Sequence, residues 1–318
     1  MTASLPGRDL LSSADLTRAE YERVFATATK LKQEFRETRR HAAQPLSGRN
    51  VALIFEKQSL RTRVTFEAGL NQLGGHALHL GDGIGFGVRE SVSDIAHNLE
   101  RWIDGIVIRT FDHSVVAELA AETTIPVFNA LTDDEHPFQA LADLLALRDH
   151  FGGLEGRVLT FIGDGNNVYH SLAVAGATLG MEVRLAHPAG FGPNVRILAA
   201  AERIAAASGG KIVVGRDPRE LAPGSDAVYT DVWVSMGQED QSHARYAAFA
   251  GYCVDSALLE IAGPEAVAMH CLPAHRGQEI TAEVLDGPRS IALEQAENRL
   301  HVQKAFLVES LGRGPLVG

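Results

Sequence analysis

The sequence has little of what marks several large classes of protein. Only two cysteines, Cys253 and Cys271, occur in 318 residues, so no disulfide framework is expected and a reducing, cytoplasmic location is favoured. No apolar run approaches the roughly 20 residues that cross a bilayer, and the N-terminus lacks the pattern of a secretory signal. The formal net charge of -11 argues against nucleic acid or a membrane as the main partner.

What remains is the composition of a globular protein with two domains. Hydrophobic residues make up 45% and charged residues 22%, which excludes a disordered chain, and 318 residues exceed one ordinary core. Strand-sized apolar runs alternate with helical patterns, and the alternation predicts doubly wound parallel sheets with helices on both faces. These runs are VALIF, HALHL, GIVIR and IPVFN in the first half, and RVLTFIG, MEVRLAH, GKIVVG, DAVYTD and AVAMHCL in the second.

We place the domain boundary at the end of the helical stretch that stops near Gly152. The first domain is then 1–150 and the second is 151–296. A last helical pattern covers 297–318, with a tail that is expected to fray.

The first motif with chemical content is S-L-R-T-R, which follows the strand VALIF and opens a helix. Free backbone N–H groups and the helix dipole favour an anion at such a helix start. Ser59 and Thr62 add hydroxyl donors, and Arg61 adds a planar fork suited to phosphate. A capped helix with solvated arginines is the alternative, but two arginines and two hydroxyls within five residues favour a phosphate site.

This motif resembles the carbamoyl phosphate signature that aspartate and ornithine carbamoyltransferases share. The ornithine enzymes most often have Thr at its second position, where this chain has Leu60. The change removes a hydroxyl and keeps the backbone N–H, so we expect it to tune phosphate affinity without abolishing it.

Two further motifs of the family lie in the first half. Arg109 ends an apolar strand, the edge at which open α/β sheets bind ligands, and H-P-F-Q comes just before a helix. The resemblance assigns Arg109 and His136 to the carbamoyl oxygen and Gln139 to the carbamoyl NH2 group, an arrangement like an oxyanion hole. It also assigns Arg299, in the last helix, to the carbamoyl end.

The segment G-D-G-N-N follows a strand and opens a helix. It could be a dinucleotide fingerprint, but Val168 stands where the third Gly belongs, and the next strand ends without a carboxylate. A nicotinamide enzyme is therefore disfavoured. The segment resembles the same stretch of the ornithine enzymes, in which the residue matching Asn167 holds the amino-acid part of the substrate.

Two other segments resemble those that select ornithine. D-V-W-V-S-M-G-Q-E supplies Asp231, Ser235 and Met236, which suit an α-amino cation. H-C-L-P places Cys271 and the Leu272 carbonyl against the substrate. By resemblance, Cys271 lies near Asp231, and the pair would assist loss of a proton from the attacking δ-ammonium.

The resemblance implies two doubly wound α/β domains, an active site in the cleft between them, and a C-terminal helix that packs back on the first domain. It also implies direct transfer from carbamoyl phosphate to ornithine without cofactor or metal, in a homotrimer or a multiple of trimers. Alternatives are a carbamoyltransferase for lysine, putrescine or acylated ornithine, or a non-catalytic relative. Leu60 and Gly85, where many relatives have a residue that reaches a neighbouring subunit's site, keep the first alternative open.

Overall fold

The computed structural model describes residues 5–81, 85–86, 89–234, 240 and 242–312. It forms two compact units. One contains the residues up to Ala142 and those from Asn298 onward, and the other is Asp143–Glu297. No helix within the described ranges is both long and apolar enough to cross a membrane.

The first unit is built around a parallel sheet of four strands in the order β2-β1-β3-β4. Its elements are α1 (Arg18–Thr38), β1 (Asn50–Phe55), α2 (Arg61–Gln72), β2 (His76–Leu80), α3 (Val92–Leu99), β3 (Gly105–Arg109), α4 (His113–Ala121) and β4 (Val127–Leu131), with a 3-10 turn at Ser13–Asp15. Helix α5 (Pro137–Phe151) begins in this unit, and the last helix, α12 (Ala292–Leu311), ends in it.

The second unit is built around a parallel sheet of five strands in the order β7-β6-β5-β8-β9. Its strands are β5 (Val158–Ile162), β6 (Glu182–Ala186), β7 (Lys211–Gly215), β8 (Ala227–Thr230) and β9 (Val267–His270). Its helices are α6 (Asn167–Thr178), α7 (Val195–Ser208), α8 (Pro218–Leu221), α9 (Ser242–Ala248), α10 (Ser256–Ala262) and α11 (Ala282–Leu285).

The prediction of two parallel-sheet α/β domains is confirmed, and each of the nine predicted runs contains a strand. The run IPVFN begins its strand at Val127, because the preceding Pro126 has no N–H to give to the ladder. A capping box starts α1: Thr17 accepts a hydrogen bond from the Glu20 N–H, and the Glu20 carboxylate accepts one from the Thr17 N–H at 2.8 Å.

The last helix packs back on the first unit, as expected. Asn298 accepts a hydrogen bond from the buried Lys32 ammonium at 2.7 Å, and Glu309 accepts one from the Thr27 hydroxyl at 2.6 Å. Both partners lie on α1, so α12 and α1 are joined at both ends of the contact.

Strand register brings the loops that carry the sequence motifs to the carboxyl edge of each sheet. In the first sheet Phe55 of β1 pairs with Arg109 of β3, so the loop after β1 lies beside the end of β3. In the second, Thr230 of β8 pairs with Ile162 of β5 and with His270 of β9. The carboxyl ends of these strands therefore align, which is where ligands bind in open α/β sheets.

Candidate active site

The carboxyl edge of the first sheet carries a buried arginine. Arg109 is the last residue of β3, is 8% exposed, and donates from Nη1 to the Ser59 hydroxyl over 3.4 Å. Its Nε has no acceptor among the described residues. Burial, and then the nearby Arg61, lower the pKa of Arg109 to about 10, so the group is still charged at neutral pH. A buried cation with unused donors is suited to an anionic ligand.

A second arginine fixes the orientation of Gln139. Arg299 of α12 is buried and donates through one nitrogen to the Gln139 side-chain oxygen and through another to the Thr62 hydroxyl at 2.6 Å. Because the Arg299 guanidinium donates to the amide oxygen, the assignment of oxygen and NH2 at Gln139 follows.

The third element is a neutral histidine. His136 lies just before α5 and is 5% exposed. Burial, followed by Arg299, Arg109 and Arg61, holds its pKa well below the usual value. At physiological pH its ring is therefore uncharged and offers one N–H donor and one acceptor.

Helix α2 begins beside this cluster. Arg61 is its first residue, and Leu60 stands at the N-cap position without any side-chain cap. The Leu60 side chain is 74% exposed. The orphan N–H groups of the first turn are thus left to a ligand or solvent rather than to a capping hydroxyl.

At the carboxyl edge of the second sheet, Asp231 receives three hydrogen bonds. The donors are the Asn166 amide at 2.8 Å, the Val232 N–H at 2.8 Å and the Cys271 thiol at 3.0 Å. These partners come from the loops after β5, β8 and β9, which strand order brings together. The predicted approach of Cys271 to Asp231 is therefore found in the structure.

The thiol in this contact is a donor and is neutral. Burial, followed by the charge of Asp231 and its hydrogen bond, raises the pKa of Cys271 well above its usual value. Such a thiol is a poor nucleophile. The pair can hold or pass a proton, but Cys271 is not built to form a covalent intermediate.

Two family models match this chain. The carbamoyl phosphate-binding domain of the aspartate/ornithine carbamoyltransferases matches residues 8–149, and their Asp/Orn-binding domain matches residues 155–309. The ornithine carbamoyltransferase of Anoxybacillus flavithermus is 48% identical over 311 residues, 98% of each chain. That of Bacillus subtilis is 46% identical over 313 residues, 98% of this chain and 96% of the other.

A solved structure leads to the same result. The ornithine carbamoyltransferase from Pyrococcus furiosus superposes with a TM-score of 0.93 at 42% identity, covering 97% of this chain and 98% of that chain. The chain belongs to the aspartate/ornithine carbamoyltransferase family. The resemblance inferred from the motifs is thereby confirmed, and the chain is a transferase of the carbamoyltransferase class.

The GDGNN segment of this carbamoyltransferase turns tightly from β5 into α6. Asn166 caps α6 by accepting from the Val168 and Tyr169 N–H groups, while Asn167 is the first helical residue. A Cβ at Gly165 would lie 2.4 Å from the Pro193 nitrogen, so only glycine fits there. The resemblance assigns Asn167 to the substrate, whereas the contact of Asn166 with Asp231 is seen only in the structure.

A buried ion pair joins this segment to the one that follows β8. Arg245 of α9 donates to Asp164 at 2.7 Å and to the Trp233 carbonyl at 2.9 Å. Arg245 and Trp233 are 7% and 8% exposed. The pair fixes the base of the predicted ornithine loop, whose residues Ser235 and Met236 lie outside the described residues.

The H-C-L-P segment is held by a second buried pair. His270 accepts from the Leu272 N–H at 2.8 Å and faces Glu279 at 3.2 Å through its other ring nitrogen. Leu272 has a positive φ of 57°, which is uncommon for a residue other than glycine. The histidine thus stabilises the backbone turn that carries the Leu272 carbonyl.

Asp231, His270 and Cys271 also bring ligand atoms within 4.8 Å of one another, a set of donors that could hold a metal. Both ring nitrogens of His270 are already in hydrogen bonds, and Asp231 has three donors. A metal would have to displace these bonds, so the geometry fits a hydrogen-bonded substrate site better.

One buried cation beside the loop after β1, Lys57, is not part of any motif recognised in the sequence. Lys57 is 8% exposed, pairs with Asp133, and lies 4.2 Å from the centre of the Phe111 ring. It links the loop after β1 to the loops after β3 and β4. Its place in the sequence, two residues before Ser59, was the only available signal.

Proposed function

We propose that this chain transfers the carbamoyl group of carbamoyl phosphate to the side-chain amine of L-ornithine, giving L-citrulline and phosphate in arginine metabolism. The observation that carries the proposal is the buried Arg109, whose Nε has no acceptor among the described residues, in a chain of net charge -11. The shifted pKa values of Arg109 and His136 have burial and arginines as causes, and no carboxylate. Such a site attracts an anion locally, against the charge of the whole chain.

In this proposal the phosphate group lies over the start of α2. The backbone N–H groups of the first turn and the fork of Arg61 bind its oxygens, as helix starts and guanidinium groups bind phosphate generally. Arg109 stabilises the charge that stays on phosphate as it leaves. The proposed carbamoyl phosphate ligands are Ser59, Leu60, Arg61, Thr62, Arg109, His136, Gln139, Cys271, Leu272 and Arg299.

The carbamoyl group lies between His136, Arg109 and Gln139. The neutral imidazole and the guanidinium donate to the carbamoyl oxygen, on which negative charge grows when the amine attacks. The Gln139 oxygen, which accepts from Arg299, also accepts from the carbamoyl NH2 group. Gln139 is therefore held in the orientation that recognises an amide.

The amine substrate is assigned to the second unit. Asp231 binds the α-amino cation of ornithine, together with Asn167, Ser235 and Met236. The Cys271 sulfur keeps lone pairs while its proton points to Asp231. It can therefore accept a hydrogen bond from the δ-ammonium, which must lose a proton before it attacks.

The reaction is a direct displacement. The δ-nitrogen forms a bond to the carbamoyl carbon, the bond from that carbon to the phosphate oxygen breaks, and phosphate leaves with the electron pair. The proton lost by nitrogen passes to the surrounding bases or to phosphate. Holding both reactants in line contributes much of the acceleration, on the order of several kcal/mol. No cofactor is required for this step.

We further propose a cytoplasmic homotrimer or a multiple of trimers. Support comes from β2, an edge strand of its sheet that is largely exposed on both faces, with Leu78 41% exposed. Parallel sheets are normally covered on both faces, and long bare edges promote unwanted pairing. A second subunit on this strand would cover it. The domain ranges 1–150 with 297–318 for carbamoyl phosphate, and 151–296 for ornithine, stay predictions.

Two variants test the assignment of the two substrates. Arg61→Ala should raise the KM for carbamoyl phosphate or abolish turnover, whereas Arg63→Ala, an exposed arginine on the same helix, serves as the matched control. Asp231→Ala should act mainly on the KM for ornithine. Citrulline formation is measured with each substrate varied in turn. An Arg61→Ala enzyme as active as Arg63→Ala would refute the phosphate site.

A further inference from the structure

Behind the Asp231–Cys271 contact lies a buried polar chain that no substrate assignment uses. Tyr229, in β8, is fully buried, and its ring stacks on Phe161 with 5.2 Å between ring centres. Its hydroxyl donates to the carboxylate of Asp143 at 3.0 Å. Asp143 is itself fully buried, so this hydrogen bond forms in a medium where it is strong and its loss is costly.

The same carboxylate reaches the neighbouring strand by a second route. Gln295 donates to the other oxygen of Asp143 at 2.7 Å, and its carbonyl oxygen accepts from the His270 N–H at 2.9 Å. Asp143 is therefore linked to Tyr229 in β8 and, through Gln295, to His270 at the end of β9. The residues that follow these strands are Asp231 and Cys271.

Burial and Asp231 raise the pKa of the Cys271 thiol, and the Tyr229 hydroxyl acts in the opposite direction. A phenol has one proton and can give it to one acceptor at a time. While Asp143 accepts that proton, Tyr229 has none to offer the sulfur. The Cys271 thiol donates to Asp231 at 3.0 Å. The hydrogen bond from Tyr229 to Asp143 therefore favours the arrangement in which the thiol donates to Asp231.

We propose that Tyr229 and Asp143 are positioning residues for carbamoyl transfer, which hold the Cys271 thiol directed at Asp231 and the sulfur lone pairs open to the amine of the substrate. This inference rests on the proposed roles of Cys271 and Asp231. It assigns to Asp143 a task in the ornithine half of the reaction, although neither Asp143 nor Tyr229 touches substrate.

The chain offers a matched control. Tyr169 is also fully buried and packs on the same Phe161, with 5.7 Å between ring centres, but its hydroxyl has no hydrogen-bond partner within the described part of the chain. Tyr229→Phe and Tyr169→Phe each remove one buried hydroxyl from the same aromatic cluster. Only the first removes a link to Asp143.

The test is steady-state kinetics with each substrate varied, on Tyr229→Phe, Tyr169→Phe, Asp143→Asn and the double variant Tyr229→Phe/Asp143→Asn. Tyr229→Phe should lower kcat/KM for ornithine about tenfold, as expected for one buried hydrogen bond to a charged group, and leave the KM for carbamoyl phosphate unchanged. Tyr169→Phe should stay near wild type. The double variant should lose little more than the worse single variant, because both act through one chain.

A second measurement distinguishes a specific effect on Cys271 from a general loss of packing in the protein. The pH dependence of Cys271 alkylation, mapped by mass spectrometry with Cys253 as the internal reference, should shift upward in Tyr229→Phe, since the hydroxyl that can turn to stabilise a thiolate is gone. It should not move in Tyr169→Phe. Equal behaviour of the two Phe variants in both assays would overturn the inference. If Cys271→Ala and Asp231→Ala also left ornithine kinetics unchanged, the proposed site itself would have failed.

Discussion

The orientation of Gln139 by Arg299 gives the sharpest quantitative prediction. Arg299 uses two nitrogens of one planar fork, one for the Gln139 oxygen and one for the Thr62 hydroxyl. Arg299→Lys keeps the positive charge. The lysine ammonium is a compact group without the planar fork of a guanidinium, so it cannot make both hydrogen bonds with the same geometry. Either Gln139 is free to turn, or Thr62 loses its donor.

The expected cost follows from the bond that is lost. A hydrogen bond to a charged group contributes about 1.5–3 kcal/mol, which corresponds to a decrease of about 10- to 150-fold in kcat/KM. The decrease should appear when carbamoyl phosphate is varied. It should not appear as a specific rise in the KM for ornithine, because both partners of Arg299 are assigned to the carbamoyl phosphate half-site.

The assay is citrulline formation with carbamoyl phosphate varied at saturating ornithine. Arg49→Lys is the control, because Arg49 also uses two nitrogens, for Asp104 and for the Leu311 carbonyl, but lies at the opposite end of β1 from Ser59. It should affect thermal stability more than kinetics. Wild-type carbamoyl phosphate kinetics in Arg299→Lys, with the fold intact by circular dichroism, would refute the reasoning.

Three further predictions concern other parts of the molecule. Leu60→Thr adds the hydroxyl common in relatives and should lower the KM for carbamoyl phosphate about two- to tenfold, whereas Leu60→Val should not; equal values for both would contradict the phosphate contact. Arg245→Lys weakens the link between Asp164 and the Trp233 carbonyl, so the KM for ornithine should rise roughly fivefold, the equivalent of about 1 kcal/mol, while that for carbamoyl phosphate stays the same. Burial, followed by Lys304, lowers the pKa of His301 to about 3. The unfolded chain therefore binds the extra proton first as pH falls below 6.5, and stability is lost by about 1.4 kcal/mol per pH unit between 6.5 and 3. Urea unfolding at pH 7 and pH 5 should show a smaller loss in His301→Gln, and an unchanged loss would exclude this histidine as a cause.

Much of the fold could be predicted because it is written locally. The nine apolar runs and the glycine-rich turn at Gly165 are each short patterns with one physical meaning. The approach of Cys271 to Asp231 came from the resemblance, and parallel strand order explains it: β8 and β9 are neighbours, so the residues after them meet.

The supporting contacts could not be predicted in this way. Asp143 and Gln295 are 152 positions apart and both look like ordinary polar residues of amphipathic helices. Tyr229 in a buried strand reads as a core aromatic. Only the three-dimensional packing shows that these groups are buried together, and burial is what turns them from solvated side chains into a chain of obligatory hydrogen bonds.

The roles of the two neighbouring asparagines also could not be distinguished from the sequence. Asn166 and Asn167 are indistinguishable as letters, yet one caps α6 and donates to Asp231 while the other starts the helix. The assignment of Asn167 to the amino-acid part of ornithine stays a prediction. The described geometry adds that Asn166 positions the carboxylate proposed to bind the same substrate.

The proposed carbamoyl transfer is tested by citrulline formation by the purified chain from carbamoyl phosphate and ornithine, with lysine, putrescine and acetylornithine as parallel amines. We predict turnover with ornithine and slower carbamoylation of the other amines: about 10- to 200-fold slower for lysine, which differs by one methylene, and slower still for putrescine and acetylornithine, which lack a charged group of the amino-acid part of ornithine. Faster carbamoylation of another amine, or release of phosphate without any carbamoylated product, would contradict the proposed function.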